Sequence, residues 1–598
     1  MSITEDASRD RPITAAVIAL VGTLLVLGIG VGIAVGAGGD AIDTQADEPT
    51  AIDSCTEIDT AGEYELASNL TNRSTCLEIT ESDVIVDGAG YGIGSYGAIE
   101  RDEARYGVHV NDTENVTVRN VSVAGWGSND TGSSDDAAGI AFENVIGGAV
   151  DDVAAFENED GIRFDNATGN TVTNVTATEN FAGVSLWDSN GNTVANVTAT
   201  ENTDGIALWD SSGNAVVHNT VSGNYYNVVL GNAHWNTIGD TSATGGDYGL
   251  FLQASHRNTV SNVSATDTAD GIVLERSSGN TLTANTVAGS GSGIVLESSS
   301  HLNTLEENEL HDNVEGISVT AASHRTTLTE NTVESLDWDL TIDNSSETDV
   351  TDLELGDETV SVDGENVRLR SSGGDDVDTD AGADVDTQAP PNHGAVGPAF
   401  ELEATNGSSA VNLTTSYTGA GLGDVDEETV GFWWLDDDAT TWERVDESTV
   451  DVDNRTVSVS LGESELASES ESEADTDTEN ENETAAEYNT GTVTGTIAVF
   501  GLETYDLTVS VEEDGDPVTN TTTIEVVNTD TDGVVAIQTI SDGTATFDLQ
   551  TGTYEVTADA NGYDLVTETI AVDGDAADLT LDLERDGDLE AENESAEG

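Results

Sequence analysis

Residues 183–214 read GVSLWDSNGNTVANVTATENTDGIALWDSSGN and say nearly the same thing twice. Gly183, Val184, Leu186, Trp187 and Asp188 return as Gly205, Ile206, Leu208, Trp209 and Asp210, a shift of 22 residues. The unit starts again at Gly139 (GIAF), Gly161 (GIRF), Asn227 (NVVL), Gly249 (GLFL), Gly271 (GIVL) and Gly293 (GIVL), always at steps of 22, and then at Gly316 (GISV) after 23. Gly107 (GVHV) precedes Gly139 by 32, one unit plus a ten-residue insertion in the polar stretch GWGSNDTGSSDD. A second mark keeps the same phase: Asn170, Asn192, Asn214, Asn236, Asn258, Asn280 and Asn303.

A period of 22 is too short for a pair of helices, and segments such as TVTNVTAT (residues 171–178) alternate with period two, so the units are built of strands. The LxxLxL frame of leucine-rich repeats is missing. Three short strands separated by turns make one coil of a parallel β-helix, each coil stacking on the next at about 4.8 Å. Equivalent Val, Ile and Leu then form interior stacks, and the recurring Asn forms an amide ladder. One coil cannot bury its own inner face, and an equivalent neighbour completes it. The expected class is all-β: a right-handed parallel β-helix of 22-residue coils, two trailing β-sandwich modules and one N-terminal transmembrane helix.

The chain has 598 residues, 15 of them basic and 117 acidic, for a net charge of −102; every basic residue is Arg. Acids run the whole length, which reads as adaptation to molar salt, where the Debye length falls to roughly 3 Å and self-repulsion is screened. Nucleic acid is excluded as a partner, since nothing neutralises phosphates. Arg9 and Arg11 precede an uncharged run of 25 residues, Ile13 to Ala37, longer than the ~20 needed to span a bilayer. This reads as a retained signal-anchor with the N-terminus in the cytoplasm and the rest outside. If the segment is cleaved, the protein is secreted. Cys55 and Cys76, the only cysteines, are expected to pair in an oxidising exterior. Asn-x-Ser/Thr sequons are dense, with glycosylation candidates at Asn111, Asn115, Asn174, Asn196, Asn262, Asn412 and Asn454.

The opening DSCTEIDTAGEYELASNLTNRSTCLEITESDVIVDGAGYGI, followed by the 22-residue coils, resembles the NosD-type right-handed parallel β-helix (PbH1-repeat) proteins, and among them the secreted forms of halophilic archaea. The likeness covers roughly Asp53 to Ser335 and is specific for fold, because the coil motif describes packing. It implies a right-handed helix. The family's namesake assists copper delivery to nitrous oxide reductase, and other relatives bind or act on polysaccharides. Farther on, GTYEVTADANGY within residues 505–583 resembles carboxypeptidase-regulatory-like or PEGA-type modules, small β-sandwiches without catalysis. The expected organisation is a cytoplasmic stub and anchor (1–39), a disulfide-bearing cap (40–83), the β-helix (84–370), an acidic linker (371–398), a β-sandwich (399–502) with an acidic insertion (463–484), the regulatory-like module (503–585) and an acidic tail (586–598).

Three kinds of site are weighed. Copper wants His, Met or Cys; His234 and His256, one coil apart, are the candidates, beside the reading that they form a solvated turn ladder, as do His301 and His324. For catalysis by a polysaccharide lyase or hydrolase, Asp270, Glu275, Arg276 and Glu297 form the best patch. Asp160 and Asp204 share the position before the lead Gly, and Arg163 points outward. For binding, Trp187 stacks with Trp209 and Tyr226 with Tyr248, platforms suited to sugar rings. Val229, Phe251, Val273 and Val295 alternate outward as an apolar stripe, which a cap segment or a partner would cover. The resulting expectation is a membrane-anchored surface protein, structural or adhesive, binding polysaccharide or another surface protein. A polysaccharide lyase or hydrolase, and a copper-maturation accessory, stand as alternatives. No cofactor is expected beyond Ca²⁺ or Cu at such sites.

Overall fold

A computed structural model describes residues 48–96, 104–127, 137–371, 390–462 and 493–585, apart from short breaks within the last three ranges. The expected anchor helix, the acidic insertion and the tail lie outside the described residues. Among those described, no helix is long and apolar enough to cross a membrane.

The described residues are all-β, and their first part is a parallel solenoid of about 13 coils. Each coil contributes to two sheets. The lead sheet takes the segments around the lead Gly, among them Asp160–Asp165, Ala182–Trp187, Asp204–Trp209, Tyr226–Gly231 and Tyr248–Gln253. They pair in parallel register with no slip: Ile162↔Val184↔Ile206↔Val228↔Leu250. The second sheet takes the Thr/Val segments, as single strands such as Thr171–Thr178 or as two short strands such as Thr193–Ala195 and Thr198–Thr200. Aliphatic side chains at equivalent positions are fully buried in one continuous core.

Three devices hold the coil. The lead glycines are required by closeness rather than by φ: a Cβ at Gly161 would stand 2.5 Å from the carbonyl of Gly183, and one at Gly183 2.6 Å from that of Gly205. Asn227 occupies this slot once, its amide donating to Gly245 O (2.7 Å) and its Oδ1 accepting from Asn224 (2.9 Å). Corners are made by single left-handed residues in columns, such as Asn174, Asn196, His218, Asp240 and Asn262 (φ 48–57°); Asn and Asp tolerate this region best among side-chain-bearing residues. The expected ladder is present and buried: Asn192 N donates to Asn214 Oδ1 (2.8 Å), and Asn192 Nδ2 reaches both that atom (3.2 Å) and Ala167 O (2.9 Å). A second ladder, Asn158–Asn180–Asn202–Asn224, runs along another corner.

The two ends are closed differently. At the start, Cys55 and Cys76 are joined by a disulfide between the first coils. At the far end both sheets turn antiparallel. Leu340–Ile342 pairs with Val367–Ser371, which pairs with His393–Ala404 and through it with Val493–Leu502. Asp349–Leu355 pairs with Glu358–Asp363 and on to Ala410–Ser416 and Thr456–Gly462. The core passes without a break from the coils into these strands, so no raw parallel edge is left there. Residues 505–583 form two four-stranded sheets around their own core.

Candidate functional site

The outer face of the lead sheet carries the chemistry. Register sorts its side chains into three columns. The first runs Asp160, Ala182, Asp204, Tyr226, Tyr248, Asp270. The middle runs His109, Ala141, Arg163, Ser185, Ala207, Val229, Phe251, Val273, Val295. The third runs Asp165, Trp187, Trp209, Gly231, Gln253, Glu275, Glu297.

Trp187 and Trp209 stack at 5.7 Å between centroids, with 22° between planes. Trp187 is 39% exposed and Trp209 half-buried. A Cβ at Gly231 would collide with the Trp209 ring, so that ring lies over bare backbone of the next coil. Tyr226 and Tyr248 stack at 5.0 Å, and Tyr226 also stacks on Phe251 at 5.3 Å. Tyr225, exposed and edge-on to both tyrosines, completes an aromatic cluster.

The middle column is covered over much of its length. Val229 and Val273 are buried, and Phe251 and Val295 are half-buried, so the stripe is not an open apolar surface. At Phe251 the cover is local: rings of the first column fold across it.

Beside the tryptophans lies a polar group. Arg163 pairs with Asp165 (3.2 Å) and stands 3.9 Å from Asp160. Asp160 and Asp204 are each 6% exposed. Burial, reinforced by the charge of Asp160, pushes the Asp204 carboxyl up to about 7. Between them in the middle column, Ser185 is 1% exposed and its Oγ has no hydrogen-bond partner. Asp160, Asp204 and Arg163 were noticeable in the sequence; nothing in it marked Ser185.

The patch proposed for catalysis is assembled in part. Glu275 and Glu297 are register neighbours, and burial with the charges of Glu275 and Asp270 raises Glu297. Glu275, however, is tied up: it accepts from Gln253 (3.0 Å) and forms an ion pair with Arg276. Toward the start of the solenoid, His109 is held between Glu78 (2.9 Å) and Glu143 (3.2 Å) and stacks on Tyr106 (4.4 Å). This clamp was not foreseen, because Glu78 and Glu143 meet His109 only through register.

His234 and His256 do stack, at 5.1 Å, as do His301 and His324, at 5.4 Å. Their arrangement does not fit a copper site. Nδ1 of His234 accepts the His256 backbone N–H (3.1 Å), and Nδ1 of His256 accepts that of Ser278 (2.9 Å). These bonds place the proton on each Nε2. Nearly parallel stacked rings also do not aim two lone pairs at one ion. Among the described residues no three His, Cys, Asp or Glu side chains are grouped to hold a metal.

The sequon residues Asn115, Asn174, Asn196, Asn262, Asn412 and Asn454 are exposed, and Asn111 is half-buried.

Comparison with known proteins agrees with this architecture. The sequence profile of the family described as "Periplasmic copper-binding protein (NosD)" matches residues 77–238 and 182–348. The matched residues all lie within the parallel solenoid, and the matches support a likeness to NosD-type β-helices. No curated protein matches the chain in sequence. Solved structures with loosely similar shape include a periplasmic alginate epimerase (14% identity, TM-score 0.36, covering 50% of this chain and 76% of that one). The A-module of a mannuronan C-5 epimerase from Azotobacter vinelandii gives 16%, 0.29, 46% and 80% in the same order. The Dettilon tailspike protein gives 13%, 0.31, 75% and 86%.

Proposed function

We propose that this is a salt-adapted surface protein, anchored through Ile13–Ala37, whose lead sheet binds polysaccharide along its outer face. The reading rests on one observation above the others: Trp187 and Trp209 stack on successive coils, partly exposed, next to buried polar groups. Sugar rings present C–H faces that suit indole platforms, and the 4.8 Å coil repeat offers successive platforms to a linear chain. The disulfide, the exposed sequons and the periplasmic character of the named family support a location outside the cytoplasm.

The test is retention of the full-length protein, in detergent and molar salt, on immobilised neutral and acidic polysaccharides. Retention by the wild type that falls at least tenfold in W187A/W209A supports the reading. Equal retention of the double variant overturns it. A copper-delivery role is not favoured, since the imidazoles it would use are engaged with backbone amides.

A further inference from the structure

The turn after each lead strand carries an Asp at residues 188–192 (DSNGN) and 210–214 (DSSGN), as so acidic a chain leads one to expect. The next five turns carry none. NAHWN (232–236), ASHRN (254–258), RSSGN (276–280), SSSHLN (298–303) and AASHRT (321–326) hold three Arg and four of the eight His, and no acid, although 117 of 598 residues are Asp or Glu. They stack as one row: Trp235 N donates to His256 O (3.1 Å), Arg257 N to Ser278 O (3.1 Å) and Leu302 N to His324 O (3.0 Å). Packing does not account for what the row displays. Trp235 is 60% exposed, and the Arg257 guanidinium lies over its ring at 4.8 Å. Arg276 and Arg325 are ion-paired with Glu275 and Glu347, whereas Arg257, also exposed, meets no carboxylate among the described residues. Nδ1 of His234, His256 and His301 each accepts a backbone N–H of the next coil (2.9–3.1 Å), and the Nε2–H of each finds no acceptor among the described residues. The row thus offers a cation, three N–H donors and an open indole, and no anion of its own turns to meet them.

We propose that this row of turns is a second binding site, for an acidic polysaccharide that carries a carboxylate on each ring and runs along the solenoid axis past Trp235 and Arg257. It is separate from the Trp187–Trp209 face and does not rest on that reading. Charge complementarity carries it: in a chain of net charge −102, five successive turns without an acid leave one strip that an anion can approach. The chemistry of the strip narrows the anion. The planar guanidinium of Arg257 matches a carboxylate through two parallel N–H bonds, and the imidazole N–H groups add neutral donors along the row. The Trp235 indole accepts the C–H face of a sugar ring beside that carboxylate. The turns recur at about 4.8 Å, so the donors meet a polymer of fixed repeat better than a peptide with irregularly placed acids. Molar salt does not undo this. The Debye length of roughly 3 Å screens the distant acids of the protein, while a hydrogen-bonded contact to Arg257 is made within that length.

The experiment titrates oligogalacturonates and alginate oligomers into the full-length protein, in detergent and molar salt, by calorimetry. Methyl-esterified oligogalacturonates, which keep the rings and lose the charge, and poly-glutamate, which keeps the charge and lacks the rings, serve as comparisons. The expected result is saturable binding of at least one free-acid series, weakened at least tenfold by esterification and at least tenfold in W235A/R257Q. Both side chains are exposed, and their removal leaves the asparagine ladder through Asn236 and Asn258 in place. W187A/W209A should bind the free acids as the wild type does. Neutral chains report on the tryptophan pair alone, so the failure of one site is told from the failure of the other. No binding of any free acid by the wild type overturns the proposal, as does equal binding of the ester or equal binding by W235A/R257Q. Poly-glutamate bound as tightly as the uronates overturns the glycan in favour of an acidic protein segment.

Discussion

Asp204 illustrates how the burial of a single carboxyl ties stability to pH. Its carboxyl is raised from the usual 3.8 to about 7 by burial first and by the charge of Asp160 second. The folded state therefore holds a proton that the unfolded chain releases. Stability from this group is full below pH ~4 and is lost as pH rises toward 7. D204N should accordingly raise the melting temperature at pH 8 and change it little at pH 4, by a few kcal/mol at most. The histidine column has the opposite sign. Burial, then His234 and Arg257, lower His256, and its Nδ1 accepts a backbone amide only while neutral. Stability from His256 is thus complete above about pH 6.5 and declines as pH falls below it, a decline that H256Q should reduce in urea titrations at pH 7 and pH 5. The ladder residue Asn214 bonds Asn192, Asn236 and Ser189 O while 2% exposed. N214A leaves several of these groups unpaired and should cost about 3–5 kcal/mol, measured by denaturant melts in molar salt.

Elements were legible in the sequence to the extent that they repeat. The lead Gly, the Asn mark and the alternation of Val and Thr fix coil, register and inner face, because each is demanded at every step. The second Asn ladder was there to be read as the pairs Glu157-Asn158, Glu179-Asn180 and Glu201-Asn202, but it lies at a corner where acids and Asn are common anyway. What the repeat does not encode is what one coil lays upon the next. The Trp209 ring rests on Gly231, the tyrosines fold over Phe251, and Glu78 and Glu143 meet on His109. Alternation in the sequence could not show that neighbouring rings would cover Phe251. At the solenoid's start the Cys55–Cys76 bond closes a 21-residue separation. Removing it in C55A/C76A should cost roughly 3 kcal/mol by the chain-entropy argument, read as a lower denaturation midpoint.

Over the whole molecule, charge and closure set the terms. A net charge of −102 on one chain repels itself less the more salt screens it. The melting temperature should fall steeply as sodium chloride is lowered from about 3 M to 0.1 M, where the Debye length grows from a few Å to ~10 Å; a flat response would argue against salt adaptation. The far end of the solenoid is closed by antiparallel strands that share its core, so the coils and residues 393–502 should melt together. The outer face of the lead sheet is then a rigid ruler at coil spacing. Its central claim is best tested by titrating neutral oligosaccharides into the full-length protein in molar salt while following tryptophan fluorescence. The account predicts a saturable change in the wild type that is absent in W187A/W209A. The same titration in both proteins would contradict it.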